Sequence, residues 1–591
     1  MSARELITEH LDLWTGAVTK KSNSGRGSNG KVELTGVKKL RELILELAVR
    51  GMLVEQAPNE APASVLLDDI LEERKRLANE GHIRGHKCPP ATELNRLPAK
   101  LPDGWAGATL SHLGVFSGGK TPSKSRSEFW NGDIPWVTPK DMKSAEISAS
   151  EDHVTQDALN AGGLALLPEN AVLFVVRSGI LRRMFPTAVT RVQCTINQDL
   201  KALRLFKPEM ARYIQVLSWG FERFILEKLT KTGTTVESLK FSDFANQPFP
   251  LPPLEEQHRI VQKVDELMAL CDRLEQQTGD QLEAHETLVD TLLGTLTQSE
   301  NATELADNWA RLAAHFDTLF TTEQSIDKLK QTILQLAVMG RLVEQDGGDE
   351  PATELLKRIQ DGKDQLSQSS KQRKAKPLPP ISESEEPFSL PSGWTLSRLD
   401  DITDIQGGIA KGKKGSGKKT HTLPYLRVAN VQRSSLDLSE IKEIEIAEDE
   451  VERYLVRRRD LLITEGGDWD KVGRTAIWDG SIKPMAHQNH VFRARLILAE
   501  QNERWLERYL NSQFARNYFA GSSKQTTNLA SINKTQLRSC TVPLPPLAEQ
   551  NRIVQKVEEL MALCDQLKER LNKASQTKSQ LAEAVVEKSL G

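Results

Sequence analysis

The chain has little cysteine, few aromatic residues and no long apolar run. Five cysteines (Cys88, Cys194, Cys271, Cys540 and Cys564) in 591 residues are too few for a disulfide framework. No run of about 18 apolar residues is present, so no membrane span and no membrane partner is expected. The start, MSARELITEHLDLW, carries Glu5, Glu9 and Asp12 and lacks the basic-then-apolar layout of a secretory signal. The expected location is therefore cytoplasmic. Enzymatic signatures are missing too. There is no Asp/Asn-Pro-Pro-Tyr/Phe of an amino-methyltransferase, no Rossmann-like glycine fingerprint and no Walker pair of a helicase. GKKGSGKK from Gly412 approaches a P-loop, but Lys419 stands where Ser or Thr is needed and no apolar strand leads in. It reads as a flexible basic loop. His82, His86 and Cys88 have zinc-like spacing, yet no fourth ligand is evident. No catalytic residue, metal or cofactor is assigned to this chain.

What is present is repetition. PLPPLEEQHRIVQKVDELMALCDRL from Pro250 returns as PLPPLAEQNRIVQKVEELMALCDQL from Pro543, with 21 of 25 positions identical. KLRELILELAVRGMLVEQ from Lys39 returns as KLKQTILQLAVMGRLVEQ from Lys328, an offset of 289. LPDGW at Leu101 returns as LPSGW at Leu390, and GG at Gly118 returns at Gly407, both at the same offset. The PLPP offset is 293, so two divergent blocks of nearly equal length lie between matching ends. This order predicts an α+β protein with a pseudo-two-fold internal repeat. Residues 1–100 form an N-terminal helical region with a basic Gly/Ser loop, 101–250 a first head and 251–389 a central helical region. Residues 390–542 form a second head and 543–591 a C-terminal helix.

The repeated segments are amphipathic. Ile260, Val264, Leu267, Cys271 and Leu274 follow a heptad seam, as do Ile553, Val557, Leu560, Cys564 and Leu567. The two cysteines are apolar fillers on this reading. A helix is expected from Leu254 to Glu275, with the pattern resuming at Leu288, Leu292 and Leu296 after Thr278 and Gly279. The stripe Leu40, Leu43, Ile44, Leu47 and Ala48 ends at Gly51, and its copy ends at Gly340. These helices are expected to join the heptad helices in a long, antiparallel coiled-coil-like rod. Glu256, Gln257 and Arg259, with Glu549, Gln550 and Arg552, lie off the seam and are the same in both copies. Their sameness at positions taken as solvated marks them as candidate contacts for one kind of partner.

The divergent blocks change texture to short β-like runs punctuated by Gly, Pro and Asn, then turn helical, which predicts mixed α/β heads. Net charge is −3 overall. Residues 100–249 hold 18 Lys+Arg against 15 Asp+Glu, and residues 389–541 hold 24 against 19. Both heads are thus mildly basic. Their polar loops suit DNA: Lys and Arg neutralise phosphates, while Arg, Asn and Gln match base edges. Candidate DNA contacts are Lys120, Thr121, Arg177, Arg182, Lys231 and Thr234 in the first head. In the second they are Lys413, Lys418, Arg427, Asn430, Gln488, Asn489 and Lys524.

With its PLPPLEEQHRIV and PLPPLAEQNRIV closings, LPDGW and LPSGW openings, WNGDIPWVTPKDM and HQNHVFR, the chain resembles the specificity subunits of type I restriction–modification systems. The long N-terminal region resembles the subgroup in which that region is extended. The resemblance implies two target recognition domains, each reading one half of a split, asymmetric double-stranded DNA site. It also implies helices that set the spacer and dock two methyltransferase subunits, with two restriction subunits in the full complex. S-adenosylmethionine, ATP and Mg are then expected on those partners, not here. A stand-alone two-headed DNA-binding regulator and a structural adaptor that never meets DNA are the alternatives.

Overall fold

The computed structural model describes residues 10–16, 19–20, 32–83, 96–97, 100–161, 163–233, 236–300, 302–369, 377–410, 419–467, 471–522, 524–526 and 529–590. Thr234, Lys413, Lys418, His86 and Cys88 lie outside them, as does the side chain of Lys524. The principal helices are α1 (Thr35–Val49), α2 (Ala63–Asn79), α3 (Ala211–Gly220), α4 (Leu254–Gln298), α5 (Glu323–Val338), α6 (Ala352–Ser369), α7 (Glu503–Asn511) and α8 (Leu547–Leu590). No helix among the described residues is long and apolar enough to cross a membrane.

The chain divides into two compact units, residues 1–281 with 573–591, and residues 282–572. The central helical region is therefore shared out between them. The reason lies in α4 itself. Ile260, Val264, Leu267 and Cys271 enter the core of the first unit, whereas Val289, Leu293 and Leu296 enter a core of the second. In the same way Ala582 of α8 joins the first core, while Ile553 and Val557 join the second.

α4 runs unbroken through Thr278 and Gly279 for 45 residues. One helical glycine costs only about 1 kcal/mol, which a helix anchored at both ends absorbs. The buried positions beyond it also differ from the expected ones. Val289 is buried and Leu288 is 50% exposed; Ala582 is buried and Leu581 is 54% exposed. At 100° per residue, 18 residues make five full turns, so 289 falls on the face of Cys271 and 582 on that of Cys564. A strict heptad reading drifts off that face.

The stripe on α1 shares its core with the heptad residues Ile260, Val264, Leu267 and Cys271, and its copy on α5 (Leu329, Ile333 and Leu336) shares one with Val289, Leu293, Leu296 and Cys564; on α1 the head joins in as well. Leu40, Leu43, Ile44 and Leu47 share one core with head residues such as Val172, Phe174 and Ile214. A side chain at Gly220 of α3 would strike Val49 and the Leu45 carbonyl, so α1 and α3 touch closely. Helix and head are one hydrophobic body.

Each head is closed by its own ends. Ala106–Thr109 pairs antiparallel with Pro248–Leu251, and Thr395–Arg398 with Thr541–Leu544. The residues just after LPxGW are thus stitched to those of PLPP, and everything between is an insert on a fixed base. Inside, the heads share a topology that their sequences conceal. The first holds a sheet in the order Gly114–Gly118, Leu200–Leu205, Val172–Val175, Thr187–Thr190, Glu146–Ile147. The second holds Thr403–Gly407, Val491–Leu496, Leu461–Thr464, Thr475–Ile477 in the corresponding order. A second sheet places Thr195–Ile196 parallel to Trp130–Val137 in one head and Ala486–His487 parallel to Thr420–Leu426 in the other.

Candidate nucleic-acid interface

In each unit a tryptophan, a glutamate and a glutamine lock the long helix under its head. Trp105 Nε1 donates to Glu256 Oε2 at 3.0 Å, and Trp394 Nε1 to Glu549 Oε2 at 3.0 Å. Gln257 Nε2 donates to the Pro252 carbonyl at 2.9 Å, and Gln550 Nε2 to that of Pro545 at 2.8 Å. Arg259 pairs with Glu60, and Arg552 with Asp349 at 2.7 Å. Tyr213 of α3 donates to the Pro250 carbonyl at 3.1 Å; Trp505 of α7 donates to that of Pro543 at 3.2 Å.

This corrects the reading of four positions as solvated and gives the two arginines partners within their own units. Glu256, Gln257, Glu549 and Gln550 are each only 1% exposed, not solvated, and Arg259 and Arg552 are spent on ion pairs within their own units. Their sameness in the two copies follows from this internal bonding, so it supplies no argument for a docking surface. Burial pushes the Glu256 and Glu549 carboxyls up from the ordinary range, opposed by the indole donors. Identical positions of the repeat that do meet solvent in both copies include Gln262 with Gln555, Glu266 with Glu559 and Asp272 with Asp565.

At one end of each central sheet, four segments of each head converge on the same backbone frame. Lys120 N donates to the Ile196 carbonyl at 3.0 Å, and Ile409 N to that of His487 at 2.9 Å. Val176 N reaches Asp199 O at 2.9 Å, and Glu465 N reaches His490 O at 2.9 Å. Leu239 N reaches Val176 O at 2.8 Å, and Ile532 N reaches Glu465 O at 2.9 Å. Arg177 bridges Ser238 as Gly466 bridges Ser531. The repeated GG belongs here. A side chain at Gly119 would collide with the carbonyl oxygens of Ile196 and Asn197, and one at Gly408 with those of His487 and Gln488. Only glycine lets these loops close on each other.

The sequence-named residues fall around this frame in the first head. Lys120, Arg177 and Lys231 are exposed, and Thr121 is half-buried with its hydroxyl on Gln198. Arg182, 56% exposed, donates to the buried Glu237 at 2.6 Å, which holds one guanidinium edge and leaves the rest to solvent. Lys231 sits on the two-residue strand paired with Ser238–Leu239. In the second head Gln488 and Asn489 occupy the corresponding loop.

Asn430 does not belong to the interface. It is 3% exposed, its amide nitrogen donates to the Asp437 and Glu440 carbonyls, and its oxygen accepts from Arg427 N. It pins a turn, and the Arg427 guanidinium lies against Glu440 beside it. Beneath Gln488, His487 is fully buried with Nδ1 on the Val491 carbonyl at 2.8 Å. Desolvation brings its pKa down to about 4, so it is neutral at pH 7. One exposed residue escaped sequence reasoning: Gln198, at the tip of the loop that matches Asn489. Aligning TINQD (195–199) with AHQNH (486–490) through the shared strand would have found it. Among the described residues no cluster of His, Cys, Asp and Glu could hold a metal ion.

Residues 102–284 and 391–575 each match the type I restriction modification DNA specificity domain. The chain is 36% identical to the type I restriction enzyme EcoEI specificity subunit of Escherichia coli, with all of both chains covered. It is 37% identical to the EcoAI specificity subunit of the same organism over 99% of each chain. Among solved structures, the HsdS subunit from Thermoanaerobacter tengcongensis overlaps 83% of this chain and 98% of its own at 18% identity, with a TM-score of 0.39.

Proposed function

This chain belongs to the type I restriction modification DNA specificity family, and we propose that it is the non-catalytic DNA-recognition subunit of such a complex. Each head reads one half of a split, asymmetric site in double-stranded DNA. α4 and α8 pair as an antiparallel spacer that sets the gap between the half-sites. Two methyltransferase subunits dock on the repeated helices, and two restriction subunits complete the assembly. S-adenosylmethionine, ATP and Mg belong to those partners. The proposed work takes place in the cytoplasm.

One observation carries this reading. Two heads use the same backbone frame to hold the same four segments, yet differ in the side chains placed on it: exposed Lys120 stands where Ile409 is buried, and exposed Arg177 stands where the other head has Gly466. A frame repeated with its side chains exchanged is suited to reading two different short sequences. Arg or Lys neutralises phosphate, and each amide or guanidinium fits particular base edges.

The test is an exchange of residues 106–251 with 395–544, cut at the strand pairs that close each head. Mapping of N6-methyladenine in a host that makes the chain with its methyltransferase should show the half-sites in inverted order. Unchanged order would overturn the assignment of one half-site to each head. The same complex separates the alternatives. A stand-alone regulator would bind its site as tightly without the methyltransferase, and an adaptor would show no salt-dependent DNA binding at all.

A further inference from the structure

We infer that Gln198 and Asn489 are equivalent base-reading residues, one in each head, and that each takes an adenine. The inference rests on the functional reading above and adds the residue and the base.

The equivalence comes from the backbone. Both residues lie two positions after the last residue of the short strand that runs parallel to Trp130–Val137 or Thr420–Leu426. In both, the preceding loop closes on the strand end through a glycine that admits no side chain. In both, the next residue (Asp199 or His490) accepts a backbone hydrogen bond from the exit of a central sheet strand. Gln198 and Asn489 are therefore held at one place in two copies of one frame. The pair just before them, Asn197 and Gln488, is also a carboxamide in both heads, but Asn197 is buried and bonded to Asp199, so at the more open place both heads again carry a carboxamide.

Each carboxamide is also oriented by a neighbour. Thr121 Oγ1 donates to Gln198 Oε1. Asn489 Nδ2 lies 3.3 Å from His490 Nε2, and His490 Nδ1 lies 2.6 Å from Glu465 Oε2. With Nδ1 protonated toward Glu465, Nε2 accepts from Asn489. A carboxamide has two acceptor lone pairs and two N–H donors, so one such bond fixes its plane and leaves at least one acceptor and one donor in each case. Adenine presents the complement in the major groove, N6–H to donate and N7 to accept. Gln198 is exposed and Asn489 half-buried, so neither is used up in the core.

The experiment uses the chain assembled with its methyltransferase. Binding is competed with duplexes carrying each of the four bases at each position of both mapped half-sites. Gln198→Ala should lose preference for adenine at one position of one half-site by roughly 5- to 150-fold, with the other half-site untouched. Asn489→Ala should do the same in the opposite half-site. Gln198→Glu should move the preference at that position from adenine toward cytosine, whose N4 donates; a variant that binds with a changed base has folded. Equal weakening on every duplex would make Gln198 a phosphate contact and overturn the assignment, as would unchanged base preference. A wild-type complex that fails to distinguish any duplexes would instead overturn the functional reading itself.

Discussion

The two units differ most where they touch solvent at the sheet ends and least where α4 and α8 enter their heads. At the helix entry Trp105, Glu256 and Gln257 face Trp394, Glu549 and Gln550 in identical bonds, with distances matching within 0.1 Å. At the sheet ends the backbone bonds match as closely, and the side chains do not. Identity was kept at the entry because the side chains themselves make the joint, and a buried carboxyl without its donor is costly. It was lost at the loops because the main chain makes the joint there. Glycine is the exception at the loops, since Gly119 and Gly408 are part of the main-chain fit.

The largest break in this comparison comes at the joint. Trp105→Ala should destabilise the first unit by roughly 3–5 kcal/mol, from the cavity and the stranded Glu256 carboxyl. Hydrogen exchange of the full chain should show faster exchange in α1, α3 and the first half of α4. Trp394→Ala should do so in the second unit. Equal loss in both units from either substitution would show that they do not stand on separate cores.

A smaller effect separates the units by pH. His487 is held neutral to about pH 4 in the folded chain, whereas an unfolded histidine takes a proton near pH 6.5. The unfolded state therefore binds the extra proton between these values, and stability falls as pH drops through that window. At pH 5 the loss is about 2 kcal/mol. The corresponding residue of the first head is Ile196, which cannot titrate. The thermal midpoint of the second unit should thus fall more between pH 7.5 and pH 5, and His487→Ile should remove that excess. An equal fall in the substituted chain would assign the acid sensitivity elsewhere.

The smallest effect is at two exposed struts. Arg212 of α3 pairs with Asp265 at 2.5 Å, and Arg504 of α7 pairs with Glu558. Either Arg→Ala change should cost only about 0.2–1 kcal/mol in urea denaturation, since half-exposed pairs gain little over water. A loss above ~2 kcal/mol would mean that these struts, and not the Trp–Glu joint, hold head to helix.

Much of this was legible before any fold was known, and particular residues show why. The offsets of 289 and 293 announced two units, because a duplicated fold must keep its core spacing. LPxGW and PLPP are repeated motifs, and the structure pairs the strands beside them. Cys271 and Cys564 were read as fillers from the seam alone, and both are buried. The site was less legible. Asn430 looked like a base reader because an exposed and a buried asparagine are the same letter. Glu256 looked like surface because a carboxylate usually is. Gln198 was passed over because its relation to Asn489 runs through strand pairing between residues about 60 positions apart.

The sequence by itself determined the duplication and the amphipathic helices. Each of these is carried by spacing along the chain, and spacing is what a sequence records. Tertiary structure alone decided which faces were inside. It placed Val289, not Leu288, in a core, turned Glu256 and Glu549 inward onto indoles, and brought Gly119 against Ile196 and Gly408 against His487. Those outcomes depend on what a second segment offers at a few ångströms, and no single stretch of chain contains that information.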